Sequence, residues 1–83
     1  MSRTLYVGNL PDSMTEARLS AKFSEHGKVS GVKLITDRGT GRNLGYGFVE
    51  MDTSATAKRA IEELDGVIYD GLQLTVRTAT SPR

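Results

Sequence analysis

Three features of the sequence predict an α+β fold, in which two helices pack on a single face of one sheet. Short runs rich in apolar, β-branched and aromatic residues are typical of strands, and two longer segments carry apolar residues at helical spacing. Turn residues such as Gly, Asn, Asp and Pro separate these elements. The predicted order is strand, helix, strand, strand, helix, strand.

The first half of the chain is predicted to form a strand, a helix and a second strand. Residues 5–7 are apolar or aromatic and are followed by turn residues. Thr15 is a suitable N-cap for a helix in which Leu19 and Phe23 recur at helical spacing. Apolar residues then alternate with polar or small ones over residues 29–36, which predicts the second strand.

The second half repeats this pattern after a basic loop. Residues 37–43 are predicted to be a flexible loop, and residues 44–51 a third strand. Residues 53–64 place alanines, Ile and Leu on one stripe, which predicts a second helix. The turn signal Asp70-Gly71 precedes a fourth strand, predicted over residues 72–77. This order is typical of the ferredoxin-like βαββαβ arrangement, a four-stranded antiparallel sheet with two helices on one face.

Length and composition limit the class of protein. The 83 residues predict one domain over residues 1–83, with a core over 3–79 and a loose tail over 80–83. The chain has no Cys and one His, which excludes a Cys/His zinc site, and we expect neither a metal nor a cofactor. No apolar run approaches the roughly 18 residues of a membrane span. A cytoplasmic monomer is expected, or a nuclear one in a eukaryotic source.

Alternation along the strands predicts an aromatic cluster on the open face of the sheet. In the third strand Val49 and Met51 suit the core, so Tyr46 and Phe48 should point the other way, and the same reasoning places Tyr6 beside them. Aromatic residues in a small domain are more often core. The opposite parity, however, would expose Val49 and Met51 and bury a carboxylate at residue 50. Exposed aromatics on a sheet are suited to stacking on nucleobases.

These residues also resemble a known family. The sequence Gly45-Tyr46-Gly47-Phe48-Val49-Glu50-Met51 resembles the longer signature of the RNA recognition motif, and Leu5-Tyr6-Val7-Gly8-Asn9-Leu10 resembles the shorter one. The resemblance covers residues 3–79 and is closest to compact single-motif RNA-binding proteins of bacteria. Two positions depart from the pattern: Leu44 replaces a Lys or Arg, and Met51 replaces an aromatic residue.

The resemblance implies a role for each residue of the open face. Tyr6 and Tyr46 would stack on successive bases, and Phe48 would pack against sugars. Asn9 would contact RNA, although an Asn at a strand end more often bonds to backbone. The implied partner is single-stranded RNA, with single-stranded DNA as an in vitro substitute, and the basic residues expected near it are Lys33, Arg38, Arg42 and Arg77.

Sorting the charges by predicted position divides a nearly neutral chain into two faces. The total is 11 basic against 10 acidic residues, or +1. The open face, the loop at 37–43 and the termini carry a predicted net charge of +4, and the rest carries −3. The residues assigned to the positive side are Arg3, Lys33, Arg38, Arg42, Arg77 and Arg83, with Asp37 and Glu50.

Two other functions are compatible with the predicted fold. An apolar pair of Leu44 and Ile35 at the edge of the open face would suit a protein partner instead of RNA. Acylphosphatases share the architecture, but in that family a Gly-rich loop that contains an Arg follows the first strand. Residues 9–13 of this chain, at the same place, contain no Arg. With one His and no Cys there is also no evident acid–base relay, so no enzymatic activity is expected.

Overall fold

A computed structural model describes residues 3–79 and has the predicted α+β, ferredoxin-like architecture. One antiparallel sheet has the strand order β2-β3-β1-β6, and both helices pack on the same side of it. The predicted tail at 80–83 lies outside the described residues. The elements are β1 (Thr4–Gly8), α1 (Glu16–Ser24), β2 (Val29–Thr36), β3 (Asn43–Met51), α2 (Ser54–Leu64), β4 (Ile68–Tyr69), β5 (Leu72–Gln73) and β6 (Thr75–Thr78).

Both helices begin at a threonine N-cap. The hydroxyl oxygens of Thr15 and Thr53 accept hydrogen bonds from the backbone N–H three residues later, at 3.1 and 3.0 Å. Each helix turns a narrow apolar stripe to the sheet, and the buried members are Leu19, Phe23, Ala57, Ala60 and Leu64. Within residues 3–79, neither helix is long and apolar enough to cross a membrane.

The core lies between the helices and one face of the sheet. Leu5 and Val7 of β1 and Val49 and Met51 of β3 are 0% exposed, as the alternation predicted. The residues between them in sequence point to the opposite face. No helix within residues 3–79 covers this face, which we call the open face. The strand parity inferred from the sequence is therefore confirmed.

The predicted fourth strand is divided into two parts that belong to different sheets. Thr75–Thr78 pairs with β1, whereas Leu72–Gln73 pairs with Ile68–Tyr69 in a two-stranded ribbon. The division falls at Leu74, whose N–H donates to Val67 and whose carbonyl accepts from Gly66. The tight turn of the ribbon is the predicted Asp70-Gly71, both with positive φ (50° and 83°).

Two glycines of β3 are required by the geometry of the backbone. Gly45 has φ +88°, a left-handed backbone conformation, and a Cβ there would have ample space. At Gly47 a Cβ would lie 2.5 Å from the backbone oxygen of Lys33 in β2. The first glycine is therefore needed for its backbone conformation, and the second for close approach of two strands.

The ends of the two helices are joined by a small polar cluster. His26 follows α1, and its Nδ1 lies 2.6 Å from Oε1 of Glu63 in α2. Arg59 donates from Nε to the second carboxylate oxygen of Glu63 at 3.2 Å. These two hydrogen bonds favour the ionised carboxylate and lower the pKa of Glu63 below its ordinary value of 4.5. His26 thus has an interhelical partner in addition to its position near a helix C-terminus.

Candidate nucleic-acid interface

Three aromatic side chains lie together on the open face, and we call Tyr6, Tyr46 and Phe48 the aromatic cluster. Their ring centroids are 6.0 to 6.3 Å apart, and all three side chains are partly exposed. The rings of Tyr6 and Tyr46 are inclined by 31°, while Phe48 is edge-on to both, at 68° and 86°. The cluster therefore exposes apolar ring surface to solvent on the open face, opposite the core.

The strand register brings the cluster together. Tyr6 of β1 pairs with Phe48 of β3, and the next position on the same face pairs Gly8 with Tyr46. Because β1 and β3 are the two central strands of the sheet, the cluster lies at the middle of the open face. Two aromatic positions in one strand and one in its neighbour are thus sufficient to form it.

Two basic side chains border the aromatic cluster on opposite sides. Arg77 of β6 pairs with Tyr6, and its Cζ lies 5.0 Å from the centroid of the Tyr6 ring, a cation–π contact. Lys33 of β2 pairs with Phe48 and is exposed. Within residues 3–79 neither cation has a carboxylate within ion-pair distance. Both charges are therefore available to an anionic ligand.

Two other predicted cations of the positive side have acidic neighbours. Nη2 of Arg3 lies 3.7 Å from Oε2 of Glu50, and Nη2 of Arg42 lies 3.9 Å from Oδ2 of Asp12. The sequence analysis assigned Asp12 to the negative side, and the structure places it beside the loop that carries Arg42. The open face and its loop are therefore less positive than predicted, because one further carboxylate belongs to them. Arg83 lies outside the described residues.

The loop between β2 and β3, which holds Arg38 and was predicted to be flexible, contains several internal hydrogen bonds. Oδ1 of Asp37 accepts from the backbone N–H of Gly39 and Thr40 at 2.7 and 3.2 Å. The backbone N–H of Gly41 donates to the carbonyl of Asp37, and Asp37 donates to the carbonyl of Arg42. Arg38 is exposed at the tip of this closed loop, with no ion pair inside the described range.

Two asparagines fix the loops beside the aromatic cluster. Asn9 has φ +60°, and its amide donates to the carbonyl of Gln73 at 2.7 Å, so it joins the end of β1 to β5. Asn43 donates to the carbonyl of Pro11 at 2.8 Å and accepts from the N–H of Gly45 at 2.6 Å. The structural role weighed for Asn9 is observed. Asn43 was missed, because an Asn at a loop end gives no sequence signal of a partner 32 residues away.

The predicted pairing of Leu44 with Ile35 assumes that side chains alternate regularly between the two faces along β2 and β3. Both strands are irregular near these residues. Leu44 is 52% exposed, but the left-handed backbone of Gly45 separates it from Tyr46. The pairing of β2 with β3 also shifts between Leu34 and Thr36. Parity therefore no longer assigns Leu44 to the same face as Tyr46, and an apolar patch with Ile35 stays a prediction.

A four-stranded sheet that carries helices on one face and clustered aromatics on the other is typical of domains that bind RNA on the sheet surface. The sequence matches the RNA recognition motif over residues 5–75, and the chain belongs to this family. The family membership inferred from the two signatures is thereby confirmed.

Relatives and solved structures agree with this assignment. The protein RbpE of Nostoc sp., named as an RNA-binding protein, is 50% identical over 76 residues, covering 92% of this chain and 77% of the relative. The 28 kDa chloroplast ribonucleoprotein of Nicotiana sylvestris is 45% identical over 75 residues, covering 90% of this chain. This chain spans only 27% of that ribonucleoprotein. The crystal structure of RNA binding protein PG1 has a TM-score of 0.92 at 41% identity and covers 99% of both chains.

Proposed function

We propose that this protein is a non-catalytic, monomeric, cytoplasmic module that binds single-stranded RNA on the open face of its sheet. The observation that supports this most is the aromatic cluster, three partly exposed rings within 6.3 Å of one another on the face opposite the core. Exposed rings in such a group gain little for folding, whereas each base stacked on an aromatic ring contributes about 1 to 3 kcal/mol to binding. Single-stranded DNA would stack in the same way.

The cations around the cluster support an anionic, extended ligand. Lys33 and Arg77 lie on either side of the rings, and Arg38 projects from the neighbouring loop. A nucleic-acid strand that crosses the cluster would bring its phosphates to both borders, where these charges attract them. The amide of Asn9 already donates to Gln73, so we expect Asn9 to contact RNA less than the cations do. Arg42 would contribute after releasing Asp12.

A catalytic function finds no support in the residues around the cluster. The turn after β1, residues 9–13, contains no Arg with which to bind an acyl phosphate. The single His is hydrogen-bonded to Glu63 between the ends of the two helices, on the helix side of the sheet and not at the open face. The relative RbpE is named as an RNA-binding protein, and RNA binding is the function that we propose for this chain.

A protein-docking function is the second candidate, and the exposure of Leu44 is the observation that favours it. A docking surface of this kind would use apolar contact around Leu44 and would not require the aromatic cluster. The two functions therefore differ in which substitutions they tolerate.

The experiment that tests the proposal is a fluorescence anisotropy titration with a labelled oligouridylate, its DNA counterpart and an RNA duplex. We expect binding to both single strands and much weaker binding to the duplex, because paired bases cannot stack on the rings. Tyr46→Ala should weaken single-strand binding by about 1 to 3 kcal/mol. Ile68→Ala, an exposed apolar residue in the β4–β5 ribbon, is the matched control and should have no effect. Equal binding of Tyr46→Ala and the wild type would contradict the proposal.

The roles of the individual rings need a separate comparison. Bases on Tyr6 and Tyr46, with sugars on Phe48, remain the prediction derived from the resemblance. Replacing each ring by leucine in turn keeps apolar contact and removes stacking. The prediction requires a larger loss of RNA affinity for the leucine variants of the two tyrosines than for that of Phe48. The reverse order would assign a base to Phe48.

A further inference from the structure

Gly8 lies on the open face, directly beneath part of the aromatic cluster. It is the last residue of β1, and it pairs with Tyr46 on one side and with Thr75 on the other. Although neither helix of the described chain covers this face, Gly8 is buried. The group that covers it is therefore a side chain of the open face itself.

The covering group is the ring of Tyr6, two residues earlier in the same strand. A Cβ placed on Gly8 would lie 2.6 Å from the phenol oxygen of Tyr6, 2.9 Å from Cε2 and 3.0 Å from Cζ. The first two distances are shorter than those of real Cβ contacts, so the ring occupies the space that the Cβ of any other residue type would need. The Tyr6 ring thus lies along the strand, over the α-carbon of Gly8.

Backbone conformation does not explain a glycine at this position. Gly8 does not have a positive φ, unlike Gly45 and Gly71. An alanine could therefore adopt the backbone of Gly8 without strain. What the position requires is the absence of a side chain beneath the ring.

The arrangement of Tyr6 depends on this space. With its ring over Gly8, Tyr6 is 6.0 Å from Tyr46 at a 31° inclination and 5.0 Å from the guanidinium of Arg77. We infer that Gly8 is a positioning residue for RNA binding: it lets Tyr6 lie along the sheet, so that the ring offers a stacking surface beside Tyr46. This inference rests on the proposed function.

The test is the affinity of Gly8→Ala for the labelled oligouridylate. The methyl group should lift the Tyr6 ring, and we expect about 5- to 30-fold weaker binding, most of the value of one stacked base. Gly31→Ala is the matched control. Gly31 pairs with Glu50 in the same sheet, and a Cβ there would meet no atom within 4 Å. The control should bind as the wild type does.

A double-variant cycle separates positioning of Tyr6 from a direct clash between the new methyl group and RNA. In a Tyr6→Ala background the ring is absent, so Gly8→Ala should cause no further loss. A loss by the same factor in both backgrounds would overturn the inference. If Tyr6→Ala itself binds RNA as tightly as the wild type, the proposed role of this ring fails, and that result is distinct from failure of Gly8→Ala alone.

A measurement on the unmodified protein makes the inference independent of how well Gly8→Ala folds. Proton NMR should show strong nuclear Overhauser effects between the Tyr6 ring protons and the α-protons of Gly8. Their absence, with the other cross-strand effects of β1 present, would overturn the inference.

Discussion

The two faces of the central strands differ in what their side chains do. On the helix side of β1 and β3, the residues Leu5, Val7, Val49 and Met51 are completely buried. On the open face, one residue along each strand, the aromatic side chains of Tyr6, Tyr46 and Phe48 are partly exposed. The same two strands therefore serve folding with alternate residues on one side and present a binding surface with the others.

This difference separates stability from binding residue by residue. A buried aliphatic side chain contributes mainly to folding, because its apolar area is removed from water. A ring on the open face leaves much of its area in water until a ligand covers it. Substitutions on adjacent residues should therefore affect different measurements, and the following predictions test how strict that separation is.

The largest effect is expected on the helix side. Leu5→Ala removes a fully buried side chain and should lower the free energy of unfolding by about 2 to 5 kcal/mol. The remaining folded protein should bind the oligouridylate within about twofold of the wild type, since the open face is unchanged. Urea denaturation and titration at low temperature measure the two quantities. A stable Leu5→Ala variant with weak RNA binding would contradict the separation of the faces.

The cations of the open face should determine how affinity depends on salt. Lys33, Arg77 and the neighbouring loop residue Arg38 have no ion pair within residues 3–79. These three cations predict a slope of log affinity against log salt of about −2, at roughly 0.7 per phosphate on a single strand. The double variant Lys33→Gln/Arg77→Gln should reduce the slope to about −0.7. Lys58→Gln, on the exposed side of α2, is the control and should leave the slope unchanged. An unchanged slope in the double variant would place the phosphates elsewhere.

A smaller effect is expected at Leu44, where the family pattern has a cation. Leu44→Arg should tighten RNA binding by about 1 kcal/mol or less and steepen the salt slope by roughly 0.7, because it adds one exposed charge. The salt series used for the double variant measures both. Unchanged affinity and slope would remove Leu44 from the RNA surface and favour its use as a protein contact.

The smallest effect concerns the helix ends, far from the open face. Because hydrogen bonds from His26 and Arg59 lower the pKa of Glu63, its contribution to stability is complete above the unfolded pKa near 4.5. It is lost as the pH falls through the lower folded value. Glu63→Gln should therefore be less stable than the wild type at pH 7, and the difference should shrink in acid. Glu62→Gln is the neighbouring control, and RNA binding at pH 7 should be the same in all three proteins.

The fold and the cluster could be predicted because strand alternation leaves few choices. Once Val49 and Met51 are assigned to the core, the positions of Tyr46 and Phe48 follow, and a carboxylate at residue 50 excludes the opposite assignment. The N-cap at Thr15 was likewise predicted from its residue type and is observed.

The features that could not be predicted depend on irregular backbone or on long side chains. The left-handed conformation of Gly45 interrupts the alternation on which the position of Leu44 depended. A two-residue strand at Ile68–Tyr69 is too short to produce a periodic signal, so the ribbon was missed and the fourth strand was predicted as continuous. The contact of Arg42 with Asp12 joins two loops, and flexible side chains leave no trace of such pairs in sequence.

The central claim is that adjacent residues of β3 divide binding and stability between them, and Phe48→Ala beside Val49→Ala tests it most directly. Urea denaturation and titration with the oligouridylate should be measured on both variants. We predict that Phe48→Ala weakens binding by about 1 to 3 kcal/mol with a nearly unchanged free energy of unfolding. Val49→Ala should lower that free energy by about 2 kcal/mol with nearly unchanged binding by the folded protein. A Phe48→Ala variant that is largely unfolded, or that binds as tightly as the wild type, would contradict the account.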